Sequence, residues 1–124
     1  MRDRGSHVGI VADEWTNTAE DINLFLRADA VDRVQIKTPD LGSIHHTIDA
    51  ILDSQAHGIG VVLGGSCSET DRSARTTVHI GIATGVTQML AKPGMGVDEG
   101  LSIVTNEINR SLRFDRYVGE TRSL

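Results

Sequence analysis

Side chains able to do chemistry fall at four places in this sequence, each at the end of a short apolar run. Asp13-Glu14 follow residues 8–12, Gln35 and Lys37 belong to the run 34–37, Ser66-Cys67-Ser68 follow 59–63, and Lys92 follows 87–91. Carboxylate oxygens at 13 and 14 suit a hard cation such as Mg²⁺, although neighbours on a strand point opposite ways and one alone would reach the ion. The plainer reading is a solvated turn or the acidic start of a helix. Lys37 would act as a base if burial and a nearby cation lowered its pKa toward neutrality; otherwise it reaches for solvent or pairs with Asp40. Gln35, two residues earlier, shares its side of the strand and suits a substrate carboxylate. The loop Gly64-Gly65-Ser66-Cys67-Ser68 offers free backbone N–H groups before a helix, where anions are favoured, but lacks the Walker spacing. Cys67 is either a nucleophile or an inert buried thiol. The histidines at 45, 46, 57 and 79 read as packing or surface residues rather than ligands.

Lysine is rare here. Two lysines stand against ten arginines, and both fall where an apolar run meets one of the two prolines, Lys37-Thr38-Pro39 and Lys92-Pro93. Ends of parallel strands are where α/β folds keep their chemistry.

The elements that would position these residues follow from periodicity. Short β-branched runs at 8–12, 34–37, 59–63 and 87–91 alternate with helical-period segments at 18–27, 43–57, 70–84 and 97 to about 112. Expected apolar stripes are Ile22 with Phe25 and Leu24 with Ala28 in the first helix; Ile44, Ile48, Ile51 and Leu52 in the second; Ala74, Val78 and Ile82 in the third; and Val97, Leu101, Val104 and Ile108 in the fourth. Asn17 or Thr18 would cap the first helix, and Gly58 supplies a left-handed stop to the second. Residues 2–5 read as the end of a helix. Strands joined by single helices are parallel with right-handed crossovers, so the class is α/β. Four βα units fit either a small doubly wound sheet or half of an eight-unit barrel. In both, the four strand ends share one rim, the geometry of an active-site mouth.

Composition excludes other classes. The 124 residues are 39% hydrophobic and 23% charged with a net charge of -5, which suits one ordinary globular domain and gives nucleic acid or anionic lipid little to attract it. No run is long enough to span a bilayer and no signal-peptide core follows Met1, so the expected location is the cytoplasm. A single cysteine excludes an intrachain disulfide.

Four words of the sequence, Val11-Ala12-Asp13-Glu14-Trp15, Gln35-Ile36-Lys37-Thr38-Pro39-Asp40-Leu41-Gly42, Gly64-Gly65-Ser66-Cys67-Ser68-Glu69-Thr70-Asp71-Arg72-Ser73 and residues 89–100, closely resemble the C-terminal part of the methylaspartate ammonia-lyase family of the enolase superfamily. The resemblance runs from about Val8 to about Arg110. It implies the C-terminal part of a TIM-type barrel, with residues 1–113 forming four βα units and 114–124 a flexible tail. It further implies reversible loss of ammonia from (2S,3S)-3-methylaspartate to give mesaconate, a step in amino-acid degradation, with Mg²⁺ and K⁺ as the monovalent activator. By the same resemblance Asp13 is one of three metal carboxylates, Lys37 the base for the C3 proton, and Gln35, Ser66 and Cys67 the holders of substrate carboxylates. The full-length enzyme would be a homodimer. The opposing-face histidine, the other metal carboxylates and the capping domain would lie in an N-terminal half outside this sequence, so the chain alone is expected to be inactive. Ser66 stands where the family usually has threonine, and Thr16 where it has cysteine. The competing reading is a receiver domain of the response-regulator type, suggested by Asp13-Glu14 and Lys92-Pro93; that module needs five strands and an aspartate ending the third, where this chain has Gly64-Gly65.

Overall fold

The computed structural model describes residues 8–90 and 95–122. Lys92 and the helix end expected at 2–5 lie outside them. Four βα units follow one another: β1 (Val11–Ala12), α1 (Ala19–Ala28), β2 (Arg33–Ile36), α2 (Ile44–Ala56), β3 (Gly60–Leu63), α3 (Asp71–Thr84), β4 (Gln88–Met89) and α4 (Val97–Arg122). The helix starts are fixed locally by hydroxyl caps. Thr18 accepts from the Asp21 N–H and Ser43 from the His46 N–H, while Thr70 and Ser73 cap each other's backbone N–H groups reciprocally. Gly58 has the expected positive φ, 73°, just past α2.

All pairings are parallel and the sheet order is β1-β2-β3-β4. That order decides between the two architectures. A doubly wound sheet reverses strand order at a switch point, whereas winding in one direction is how a barrel wall is laid down. The receiver reading fails on the same observation, because its sheet requires a reversal and β3 ends at Leu63 and runs into Gly64 rather than an aspartate.

The two faces of the wall differ in chemistry. Val34, Ile36, Val61 and Leu63 join Ile22, Leu26, Ala50, Ile51 and Ile80 in one hydrophobic cluster between sheet and helices. The alternate positions of β2 carry Arg33 and Gln35, and Lys37 continues the row just past the strand. Every second residue is thereby set on the polar face.

Several boundaries and stripes differ from the sequence expectation. β1 and β4 are two residues each, since pairing is confined to Val11↔Arg33, Ala12↔Val34, Val62↔Gln88 and Leu63↔Met89. In α2 the buried face is Thr47, Ala50, Ile51 and Ser54, while Ile44 and Leu52 stand about half exposed. Thr47 and Ser54 return their hydroxyls to Ser43 O and Ala50 O, so burial leaves neither unsatisfied. In α3 Thr77 and Gly81 are buried with Ala74 and Val78, and Ile82 is not. Gly81 lets the helix sit close to the sheet, since a Cβ there would come 2.7 Å from Met89 Cε and 3.2 Å from Leu63 Cδ1, and the methionine end would have to move. In α4 the buried residues include Gly100, Val104 and Glu107, whereas Val97 and Leu101 are exposed.

The end of α4 is also corrected. The helix expected to stop near Leu112 before a flexible tail from 114 continues to Arg122. No proline follows Pro93, and Leu112 and the arginines at 110, 113 and 116 are good helix formers. Its inner face is anchored by Glu107, fully buried, which binds Arg75 Nη1 at 2.7 Å and His79 Nε2 at 2.6 Å from α3, and Arg110 on its own helix. The Arg110 guanidinium, followed by the histidine and Arg75, holds the Glu107 carboxyl down at about 2, against the opposing effect of burial. Among the described residues no helix is long and apolar enough to cross a membrane.

Candidate active site at the strand ends

β1 ends at Ala12 and the chain turns at once, so Asp13 and Glu14 are not alternating strand residues. Both approach one ammonium group. Lys37 Nζ lies 2.9 Å from Asp13 Oδ1 and 3.7 Å from Glu14 Oε2, with the lysine side chain 11% exposed. The expected alternatives for Lys37, solvent or Asp40, give way to this pairing. Its pKa is raised, first by the hydrogen bond to Asp13 and further by the charges of Asp13, Glu14 and Asp40, while burial opposes them.

Gln35 shares the side of Lys37 as expected, and its Nε2 donates to the same Asp13 Oδ1 at 2.8 Å. Space for Gln35 depends on Gly64 of the next unit, where a Cβ would stand 2.7 Å from the glutamine side chain. Thr16 closes the turn from below. Its buried hydroxyl lies 2.6 Å from Asp13 O and 2.7 Å from Gln35 O, tying the first strand end to the second.

Across from Lys37 stands the loop after β3. Gly65, Ser66 and Cys67 line a cavity of about 650 Å³ together with Lys37, Glu14, Asn17 and Asp40. Cys67 is free and exposed, so the inert buried thiol is excluded. The loop is held by Glu69, whose carboxylate accepts from the Ser66 N–H at 3.3 Å and from the Ser73 hydroxyl. Sequence reasoning passed over Glu69. The signal available was an acidic residue at the N′ position of α3, inside a loop otherwise made of Gly, Ser and Cys. All five expected residues thus lie at the strand ends: Lys37, Ser66 and Cys67 line the cavity, and Asp13 joins Lys37 to Gln35 beside it. The described histidines stay out of it: His79 binds Glu107, His57 Nδ1 lies 2.7 Å from Asp53 O, His46 Nδ1 3.3 Å from Leu41 O and His45 Nε2 3.3 Å from Asp49 Oδ2.

As a Mg²⁺ ligand, Asp13 has the right chemistry, a hard oxygen on a half-exposed carboxylate. It does not form a site alone. Among the described residues no group of three or more His, Cys, Asp or Glu is placed to hold a metal ion.

A singly wound parallel sheet with an acid, an amide, a lysine and a glycine-rich loop on its strand ends defines the wall of an α/β barrel. The chain belongs to the family described as "Methylaspartate ammonia-lyase C-terminus", whose model matches residues 1–117. It is 59% identical over 109 residues to methylaspartate ammonia-lyase 2 of Carboxydothermus hydrogenoformans and 55% identical over 109 residues to the methylaspartate ammonia-lyase of Clostridium tetanomorphum. Both alignments cover 88% of this chain and 26% of the relative, so the chain spans about a quarter of the length of the curated relatives it matches. A solved structure of β-methylaspartase from Clostridium tetanomorphum, a Mg complex, superposes with a TM-score of 0.84 at 54% identity, covering 90% of this chain and 27% of that one. The Citrobacter amalonaticus enzyme containing (2S,3S)-3-methylaspartic acid superposes at 0.87 with 52% identity, covering 93% and 28%. An N-succinyl Arg/Lys racemase from Bacillus cereus, 18% identical with a TM-score of 0.64, shares the fold. The fold is thus that of the C-terminal part of an enolase-superfamily TIM-type barrel.

Proposed function

We propose that this chain supplies the base and one carboxylate-binding edge of a methylaspartate ammonia-lyase, removing ammonia from (2S,3S)-3-methylaspartate to give mesaconate. The observation that carries the reading is the convergence of Lys37 and the Ser66-Cys67 loop on one cavity, with Asp13 bound to the Lys37 ammonium, in the order the family words place them. Lys37 Nζ takes the proton from C3, the C2–N bond breaks with its electron pair leaving on ammonia, and the C2–C3 double bond forms. Gln35, Ser66 and Cys67 hold the two substrate carboxylates, the last partly through its backbone N–H.

Asp13 contributes one ligand to Mg²⁺, which when bound supplies positive charge against the carboxylate next to the reacting carbon. Lys37 as found is a poor base, because Asp13 holds its proton. An Asp13 carboxylate engaged in holding the ion would no longer support the Lys37 ammonium as it does here, and a nearby cation would favour the neutral amine that a base requires. K⁺ serves as the monovalent activator. The remaining metal ligands and the opposing-face histidine come from an N-terminal half, without which the barrel wall keeps two open edges. Residues 1–113 act as the C-terminal portion of the barrel, and the complete enzyme is a cytoplasmic homodimer.

Two measurements of mesaconate formation by ultraviolet absorbance test this. The purified 124-residue chain should show none, with or without Mg²⁺. Exchanged for the matching C-terminal part of the Clostridium tetanomorphum enzyme, it should support turnover that Lys37→Met lowers by about 10²–10⁴-fold. Undiminished turnover in that variant would remove Lys37 from the chemistry.

A further inference from the structure

Two carboxylates are buried among the described residues, and they are used differently. Glu107 is met by two guanidinium groups and an imidazole between the outer helices. Glu69, 7% exposed, spends its oxygens on a backbone N–H and a hydroxyl beside the cavity. A buried carboxylate accepts only, so its surroundings must supply donors, and a charge placed at that cost has its donors fixed in turn.

We propose that Glu69 is a positioning residue for the substrate-binding loop, bracing Ser66 and Cys67 against the first turn of α3 so that they face Lys37. The proposal rests on the reading of that loop as a carboxylate-binding edge. The brace has two ends. Oε1 takes the Ser66 N–H at 3.3 Å, and Oε2 takes the hydroxyl of Ser73, itself fixed by the Thr70 N–H at 2.9 Å within the reciprocal cap of α3. Between strand and brace lie Gly64 and Gly65, the residue type that loses most conformational freedom on ordering. The loop therefore has little intrinsic preference for the shape in which Ser66 and Cys67 line the cavity. The helix cap supplies the rigidity, and Glu69 transmits it.

A division of labour among the loop donors follows. Ser66 gives its N–H to Glu69, which leaves its hydroxyl, 3.0 Å from Ser68 Oγ, and the Cys67 N–H to meet a substrate carboxylate. Glu69 itself does not line the cavity.

The first test is amide hydrogen exchange, read by NMR on the 124-residue chain. Glu69→Ala should speed exchange at Ser66 by about ten- to a hundredfold, the worth of one charge-assisted hydrogen bond, while Val62 and Leu63 in β3 keep their protection. Glu69→Gln, which keeps an acceptor for Ser66, should stay within about threefold of the parent by the same scale. The second is steady-state kinetics in the exchanged Clostridium enzyme, where Glu69→Ala should raise KM for methylaspartate by about tenfold or more and lower kcat by less. Unchanged Ser66 exchange and KM in Glu69→Ala overturn the proposal, and so does a Gln variant as impaired as the Ala variant. If Glu69→Ala loses β3 protection as well, Ser73→Ala decides: faster Ser66 exchange with β3 intact supports the brace, and no change at Ser66 overturns it. Absent turnover in the exchanged parent enzyme would count against the proposed function, while the exchange data still decide the role of Glu69.

Discussion

Gln35 occupies the space that a side chain on Gly64 would need: a Cβ there would stand 2.7 Å from the glutamine Cγ, Cδ and Nε2. The glycine of one βα unit is thus a condition for the amide of the preceding unit to reach Asp13. Gly64→Ala should push Gln35 off Asp13 and cost about 1–3 kcal/mol by overpacking. Urea unfolding reads the cost, and the Gln35 side-chain amide resonances should move. An alanine variant of parental stability with unmoved resonances would show that the contact yields freely.

Thr16 makes a second link between the same units. One hydroxyl proton serves two carbonyl oxygens, at 2.6 and 2.7 Å, inside a buried site. Thr16→Val keeps the shape and removes the donor, so it should destabilise by about 1–3 kcal/mol. Thr16→Ser should recover most of this, as measured by denaturant midpoints.

The Lys37–Asp13 contact sets a sign that titration can check. Lys37 is raised above 10.5, so the stability it contributes is fully present below that pH and is lost as pH climbs through the folded value. Asp13→Asn removes the principal cause, and Lys37 should titrate at lower pH than in the parent. With two lysines in the chain, ¹³C NMR of the ε-carbons follows each separately. A Lys37 curve unmoved by Asp13→Asn would contradict the pairing as its cause.

Glu107 predicts behaviour at the other end of the scale. Its carboxyl is lowered from 4.5 to about 2 by Arg110, His79 and Arg75, so its contribution is complete above 4.5 and drains away as pH falls toward 2. Glu107→Gln should be less stable than the parent at pH 6. The gap should narrow steadily below pH 4.5 in denaturant titrations. A gap independent of pH would mean that packing, and not the ion cluster, is what the glutamate provides.

The sheet and the site were legible in the sequence to different depths. Alternation of β-branched runs with helical periods placed all eight elements, because the units are local and the first three helices start at hydroxyl caps of their own. The buried stripes were less readable. In α2 and α4 the inner faces use Thr47, Ser54, Gly100 and Glu107, whose polarity or small size hides them from a hydrophobic period, while Ile44, Leu52, Val97 and Leu101 advertise a face that the described structure leaves exposed. Of the site, Asp13, Gln35, Lys37, Ser66 and Cys67 were visible because strand ends share a rim. Glu14's approach to Lys37 was not, since it depends on the chain turning immediately after Ala12. Nor were Thr16 and Glu69, which act on backbone groups of other residues and have no signature spacing.

The strand order has a consequence for how the site comes into being. Each strand pairs with that of the unit next along the chain, Val11 with Arg33, Arg33 with Gly60 and Val62 with Gln88. Every sheet contact therefore closes a loop of one unit, the least demanding closure a parallel sheet permits. The first pair holds Asp13, Gln35 and Lys37 together, and the second adds Ser66 and Cys67. The mouth is thus shared out among pairings of neighbouring units, so a change that weakens one pairing bears on a defined subset of the site.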